Sequence, residues 1–249
     1  MPDQTERIES IHVMKENLIL LHGALGSKEQ LYPLAEKLSD AYHVYSFNFS
    51  GHGGQLVEGP FTIETFVKNT IDFMDTHHIL SSHLFGYSMG GYVALQLAQH
   101  FPGRAKKIIT LGTKFRWDPE SAAKEVRMMN PEVIAIKIPA FATTLAERHK
   151  PADWKSIMNL TAEMMTELGA GKAMTGHDFT TIENEVLVCI GSEDHMVTIA
   201  ESEATANHLQ NGSLYIVEGF KHPFEMIDLD KLASICTEFI GKSNASLLN

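Results

Sequence analysis

Cysteine is nearly missing from this chain, with two residues, Cys189 and Cys236, among 249. Both fall in apolar stretches, one strand-like and one helix-like, so two buried thiols in a reducing compartment are expected rather than a disulfide scaffold. No apolar run approaches the roughly 20 residues that cross a bilayer. Met1-Pro2-Asp3-Gln4-Thr5-Glu6 lacks the apolar core of a secretory leader. A cytoplasmic chain without membrane contact is expected. Positive charge is also scarce: 20 Lys and Arg face 31 Asp and Glu, a net charge of -11, which disfavours nucleic acid and anionic lipid as partners. The histidines, including His77-His78 and His195, show no H-E-x-x-H or comparable ligand spacing, so no metal is expected. Gly169-Ala170-Gly171-Lys172 fails as a phosphate loop, because Thr166 stands at its first glycine and Ala173 at its Ser/Thr. No cofactor is expected. Internal repeats, low-complexity tracts and linkers are lacking too.

What is present is an alternation of strand-like and helix-like runs. Leu18–Leu21 reads as a central strand, with Ile11–Met14 as a possible edge strand before it. A helix over Lys28–Leu38, a strand over His43–Phe47, a helix over Ile63–Met74, a strand over Ser82–Phe85, a helix through Tyr92–Ala98 and a strand over Lys107–Leu111 follow. Strands return at Glu185–Ile190 and Ser213–Val217, and Ser243–Asn249 reads as a frayed tail. Such alternation means an α/β protein with a doubly wound, mostly parallel sheet. Between them, residues 114–184 have almost no strand character and read as short helices broken at Pro119, Pro131, Pro139 and Pro151. The expected organisation is a core of residues 1–113 and 185–249, with a helical cap inserted at 114–184 over the carboxyl ends of the strands.

The chemistry concentrates at Gly86-Tyr87-Ser88-Met89-Gly90, a G-x-S-x-G element between a strand and a helix. A serine at that corner sits on a cramped turn with its hydroxyl pushed outward. A serine hydroxyl is a poor nucleophile near neutral pH and needs a base within reach. The strand 185–190 empties into Gly191-Ser192-Glu193-Asp194, and the strand 213–217 into Glu218-Gly219-Phe220-Lys221-His222. Both loops lie where open α/β sheets build their sites. Asp194 is therefore the expected acid, with Asp228, placed inside the last helix, as fallback, and His222 the expected base. The backbone N–H of Met89 is one expected oxyanion donor.

These blocks resemble the α/β-hydrolase superfamily over essentially the whole chain. His22-Gly23-Ala24-Leu25-Gly26 is similar to its oxyanion loop, Ser50-Gly51-His52-Gly53 to the loop after the next strand, and Gly86–Gly91 to its nucleophile elbow. The resemblance implies that Ala24 supplies the second oxyanion N–H and that the sheet is slightly trimmed at its start, while His22 and His52 are expected to shape loops rather than to catalyse. The chain departs from the family where Asn48-Phe49-Ser50 replaces Asp-x-Arg/Pro and where Lys221 replaces the glycine before His222. The family's menaquinone-pathway synthase shares Gly-Tyr-Ser-Met-Gly-Gly, but follows it with a substrate-binding arginine where this chain has Tyr92. Epoxide hydrolases and dehalogenases of this fold require an aspartate nucleophile, which Ser88 disfavours.

The function expected is a carboxylic-ester hydrolase acting through an acyl-enzyme on a small-molecule substrate. Thioester cleavage, or C–C hydrolysis or elimination on the same fold, is the alternative. A slow-turnover ligand-binding or signalling protein is the alternative of another class. Phe115, Trp117, Met128, Met129, Phe141, Trp154, Met158, Met164 and Met165 are candidate walls for an adaptable apolar pocket, though most are expected to serve packing.

Overall fold

The computed structural model describes residues 15–242, so the expected edge strand at Ile11–Met14 and the tail Ser243–Asn249 lie outside the described residues. In chain order the elements are β1 (Glu16–Leu21), α1 (Tyr32–Leu38), β2 (Tyr42–Ser46), α2 (Ile63–Thr76), β3 (Ser82–Tyr87), α3 (Met89–His100) and β4 (Ala105–Leu111). Then come α4 (Pro119–Val126), α5 (Pro131–Lys137), α6 (Pro139–His149), α7 (Trp154–Glu167) and α8 (Gly176–Thr180). The chain closes with β5 (Glu185–Gly191), α9 (Ile199–His208), β6 (Asn211–Val217) and α10 (Leu229–Gly241).

The six strands form one sheet in the order β2-β1-β3-β4-β5-β6, and every pair is parallel. Parallel strands buried on both faces need apolar residues at successive positions. In β1, Ile19 and Leu21 join the core with α2 and α3, whereas Leu18 and Leu20 join the core with α1 and α10. The chain leaves β1 toward one edge of the sheet and returns past it to β3, which makes the crevice between their carboxyl ends the topological switch point. Register places Leu21 beside Gly86, Tyr87 beside Leu111, and Gly191 beside Val217, so the loops after β1, β3, β4, β5 and β6 leave from one side of the sheet.

Two local expectations change. The helix at Lys28–Leu38 opens as a 3-10 turn over Lys28–Leu31 and becomes α-helical only from Tyr32. Pro33 explains the change, because it has no N–H to extend an α-helical ladder backward. Between β4 and β5 every described element is helical. Pro119, Pro131 and Pro139 each occupy the first turn of a helix, a position where the missing N–H costs nothing, so they act as helix starts. Asp118 and Asn130 precede two of them and accept the N–H of Ser121 and Val133 at 2.8 and 2.9 Å. Cys189 and Cys236 are both buried and unpaired, and burial pushes the Cys236 thiol up to about 12. Among the described residues no helix is long and apolar enough to cross a membrane.

Candidate active site

Ser88 links β3 to α3 with φ 51° and ψ -118°, a backbone conformation that L residues rarely hold. Strain of this kind costs on the order of 1–3 kcal/mol and persists only when the surroundings fix it. Here the Ser88 N–H donates to the Leu111 carbonyl (2.8 Å), and the Ser88 carbonyl accepts from the Gly91 N–H (3.0 Å) and the Thr113 hydroxyl (2.9 Å). The first turn of α3 presses on the end of β1 so closely that a Cβ at Gly90 would strike the Leu21 carbonyl.

Asp194 and His222 arrive from β5 and β6. Asp194 Oδ2 lies 2.8 Å from His222 Nδ1, and both side chains are nearly buried. The second carboxylate oxygen accepts the N–H groups of Met196 (2.8 Å) and Val197 (2.9 Å), so Asp194 shapes its own loop as well as engaging the imidazole. Burial alone would raise this carboxyl, but the His222 hydrogen bond and charge, with the two backbone donors, outweigh it and hold the group below its ordinary value. An ionised Asp194 makes Nδ1 the protonated nitrogen and leaves the free lone pair on Nε2. The neighbouring Glu193 instead faces Lys221 in an exposed pair at 3.7 Å. Asp228, expected inside the last helix, is its N-cap, accepting the N–H of Asp230 and Lys231, and has no part in this cluster.

Several contributors had no motif to announce them. The Tyr87 hydroxyl donates to the His222 carbonyl (2.8 Å) and so anchors the histidine loop to the strand that carries the serine. Gly112, at φ +59°, passes directly beneath the acid–histidine pair. A Cβ there would sit 3.2 Å from Asp194 Oδ2 and 3.3 Å from His222 Nδ1. Their signals are contacts between residues far apart in sequence, which no local pattern encodes.

Ala24 and Met89 border the same pocket as Ser88 and His222. Met89 is the first residue of α3, so its N–H has no intrahelical acceptor. Ala24 precedes Leu25, which holds φ 56° in a tight turn closed by Gly26 N–H to the Gly23 carbonyl (3.1 Å). His22 braces this turn: Nδ1 contacts the Gly23 carbonyl (2.8 Å) and Nε2 accepts the Phe49 N–H (3.2 Å). From the end of α6, Arg148 Nη1 (2.9 Å) and His149 Nε2 (3.1 Å) both donate to the Leu25 carbonyl, while His149 Nδ1 accepts the Gly53 N–H. Burial holds His22 and His149 down to about 4, and His52 well below its ordinary value, so all three are neutral near pH 7. Asn48, standing where the family carries aspartate, accepts the Lys28 N–H and donates to the Gly53 carbonyl, a pairing a carboxylate could not make.

The pocket above Ser88 encloses about 530 Å3, part of it open to solvent. Of the aromatic and methionine candidates, Trp117, Met164 and Met165 line it. Phe115 and Met158 are buried in the core, Met129 and Trp154 pack against it, and Met128 and Phe141 are exposed. Tyr92 also lines the pocket, but its hydroxyl is engaged by the Met174 N–H (2.5 Å). Among the described residues no cluster of His, Cys, Asp and Glu is arranged to hold a metal.

A family model described as the alpha/beta hydrolase fold matches residues 16–153. Over 229 residues the chain is 24% identical to 3-oxoadipate enol-lactonase 1 of Acinetobacter baylyi, covering 87% of this chain and 82% of that protein. It is 32% identical over 84 residues to ethanol acetyltransferase 1 of Hanseniaspora uvarum, covering 33% of this chain and only 25% of that protein's length. In structure it is similar to 2-hydroxy-6-oxo-6-phenylhexa-2,4-dienoate hydrolase from Rhodococcus sp. strain RHA1, with a TM-score of 0.75, 20% identity, and coverage of 92% and 91% of the two chains.

Proposed function

Because the chain belongs to the alpha/beta hydrolase fold family, we propose that it is a serine hydrolase that cleaves small carboxylic esters. The observation that carries this reading is the 2.8 Å contact of His222 with Asp194 beside the pocket that Ser88 also lines. His222 Nε2 takes the Ser88 proton as the hydroxyl attacks the ester carbonyl, then returns it to the departing alcohol. A water enters the same way, giving its proton to His222 as its oxygen attacks the acyl-enzyme. Collapse of that second intermediate restores Ser88 and frees the acid. The N–H groups of Ala24 and Met89 receive the oxyanion in both halves, and each such donor is typically worth about 100- to 1,000-fold in turnover. Asp194 fixes the tautomer and favours the imidazolium.

Residues 114–184 act as the cap of this site, with Trp117, Met164 and Met165 forming apolar walls suited to a short acyl chain or small ring. Thioesters fit the same machinery. The elimination reading is disfavoured because Tyr92 carries no charge and its hydroxyl is already engaged. The net charge of -11 supports a small-molecule substrate over nucleic acid or anionic membrane. No metal or cofactor is required by this chemistry, and cytoplasmic residence suits the two buried thiols.

Hydrolysis of 4-nitrophenyl esters from acetate to laurate, for wild type and Ser88→Ala, tests the proposal. Turnover by wild type on the short esters, falling on the order of 10⁴-fold or more in the variant, is the expected result. Equal activity in both proteins would remove Ser88 as nucleophile. A wild type inert on every ester would sink the esterase reading and favour the elimination or binding-protein alternative.

A further inference from the structure

One part of the pocket does not match its apolar walls. Helix α4 buries only Ala122 and Glu125, three residues apart on one face, and Glu125 is turned into the pocket with its side chain 5% exposed. Opposite it, just beyond β4, stands Lys114, 17% exposed, with Nζ 3.7 Å from Glu125 Oε1 and 5.6 Å from the centre of the Trp117 ring. The Trp117 indole N–H donates to the Lys114 carbonyl (3.2 Å), which fixes the backbone from which the lysine rises.

A separation of 3.7 Å is beyond a hydrogen bond, so the two charges attract without bonding. Among the described residues neither the Lys114 ammonium nor the Glu125 carboxylate makes a hydrogen bond. Taking two such ions out of water is costly unless their bonding capacity is used, and here it is left facing Ser88 and His222 across the same cavity. An oxygen about 2.8 Å from both groups forms a triangle on that 3.7 Å base, accepting from Nζ and donating to the carboxylate.

Resting on the esterase reading above, we propose that Lys114 and Glu125 together select an acyl group with an apolar body and an uncharged hydroxyl at or near its end. A carboxylate would meet Glu125 as a like charge, and an ammonium would meet Lys114. A plain alkyl chain would desolvate both ions and satisfy neither. The acyl group is the part selected because it stays in the pocket through both half-reactions, whereas the alcohol leaves after the first.

The test compares kcat/KM for four 4-nitrophenyl esters with six-carbon acyl chains ending in methyl, hydroxyl, carboxylate or ammonium, corrected for spontaneous breakdown. Wild type should prefer the hydroxyl ester over the methyl ester by about 10-fold or more, the range expected of hydrogen bonds to charged groups, and should handle both charged esters worst. The double variant Lys114→Met with Glu125→Leu removes both charges while keeping volume, and avoids leaving one ion buried alone. It should reverse the preference in favour of methyl. A wild type that prefers the methyl, carboxylate or ammonium ester would overturn the proposal, as would a double variant that keeps the hydroxyl preference. If wild type hydrolyses none of the four, the esterase reading fails separately, and the selection is then read by calorimetry on Ser88→Ala with 6-hydroxyhexanamide and hexanamide. Tighter binding of the hydroxylated amide upholds the role of the pair; equal or weaker binding refutes it.

Discussion

At the scale of single residues, the Asp194–His222 pair rests against Gly112 with almost no clearance. The sequence displays Ser88, Asp194 and His222 each just past a strand, and the structure brings the acid and histidine to 2.8 Å. Gly112 is not legible, since nothing in Leu111-Gly112-Thr113 tells that Asp194, from the loop after the next strand, will settle against it. A Cβ at Gly112 would lie 3.2 Å from Asp194 Oδ2 and 3.3 Å from His222 Nδ1, so the pair must shift slightly to admit it, and φ +59° adds strain for an L residue. Gly112→Ala is expected to lower kcat about tenfold or more through this displacement, with a modest loss of thermal stability. Full activity in the variant, measured beside its melting temperature, would show that the pair tolerates the intrusion.

At the scale of elements, Pro119, Pro131 and Pro139 divide the 114–184 region by starting helices, whereas Pro151 lies in the break between α6 and α7; a break and an N1 position share the same missing donor. The sequence pattern also could not say which helix end would touch which loop. The carboxyl end of α6 meets the Leu25 carbonyl through Arg148 and His149, one residue from the proposed oxyanion donor Ala24. Removing half of this clamp should loosen the turn without touching the triad. His149→Ala is expected to lower kcat about tenfold with KM changed less than about threefold, since the lost term is one used in the transition state. A rise in KM at constant kcat would assign the clamp to substrate binding instead.

At the scale of the whole molecule, the parallel sheet and its two-sided helical cover were readable from period alone, while the buried imidazoles between β1, the Ser50–Gly54 loop and α6 were not. His22 and His149 stay neutral down to about pH 4 when folded, against an ordinary value of 6.5. Between those values the unfolded chain binds protons that the folded chain refuses. Their stabilisation is therefore complete above about pH 6.5 and is lost as pH falls toward 4. For His22 alone the loss is on the order of 3 kcal/mol. Denaturant midpoints should drop steadily across that window, and a flat midpoint from pH 7 to 4.5 would contradict the burial of these groups. The order in which the chain supplies its site has a consequence of its own. Among the described residues β6 is the last strand and an edge, paired only with β5, and His222 follows it. A chain emerging from the ribosome thus carries the Ser88 corner, between β3 and α3, well before it carries the proposed base His222. On the proposed esterase reading, reactivity toward esters begins only once β6 and the loop after it have been made, when the serine corner and the Asp194 loop are already in place.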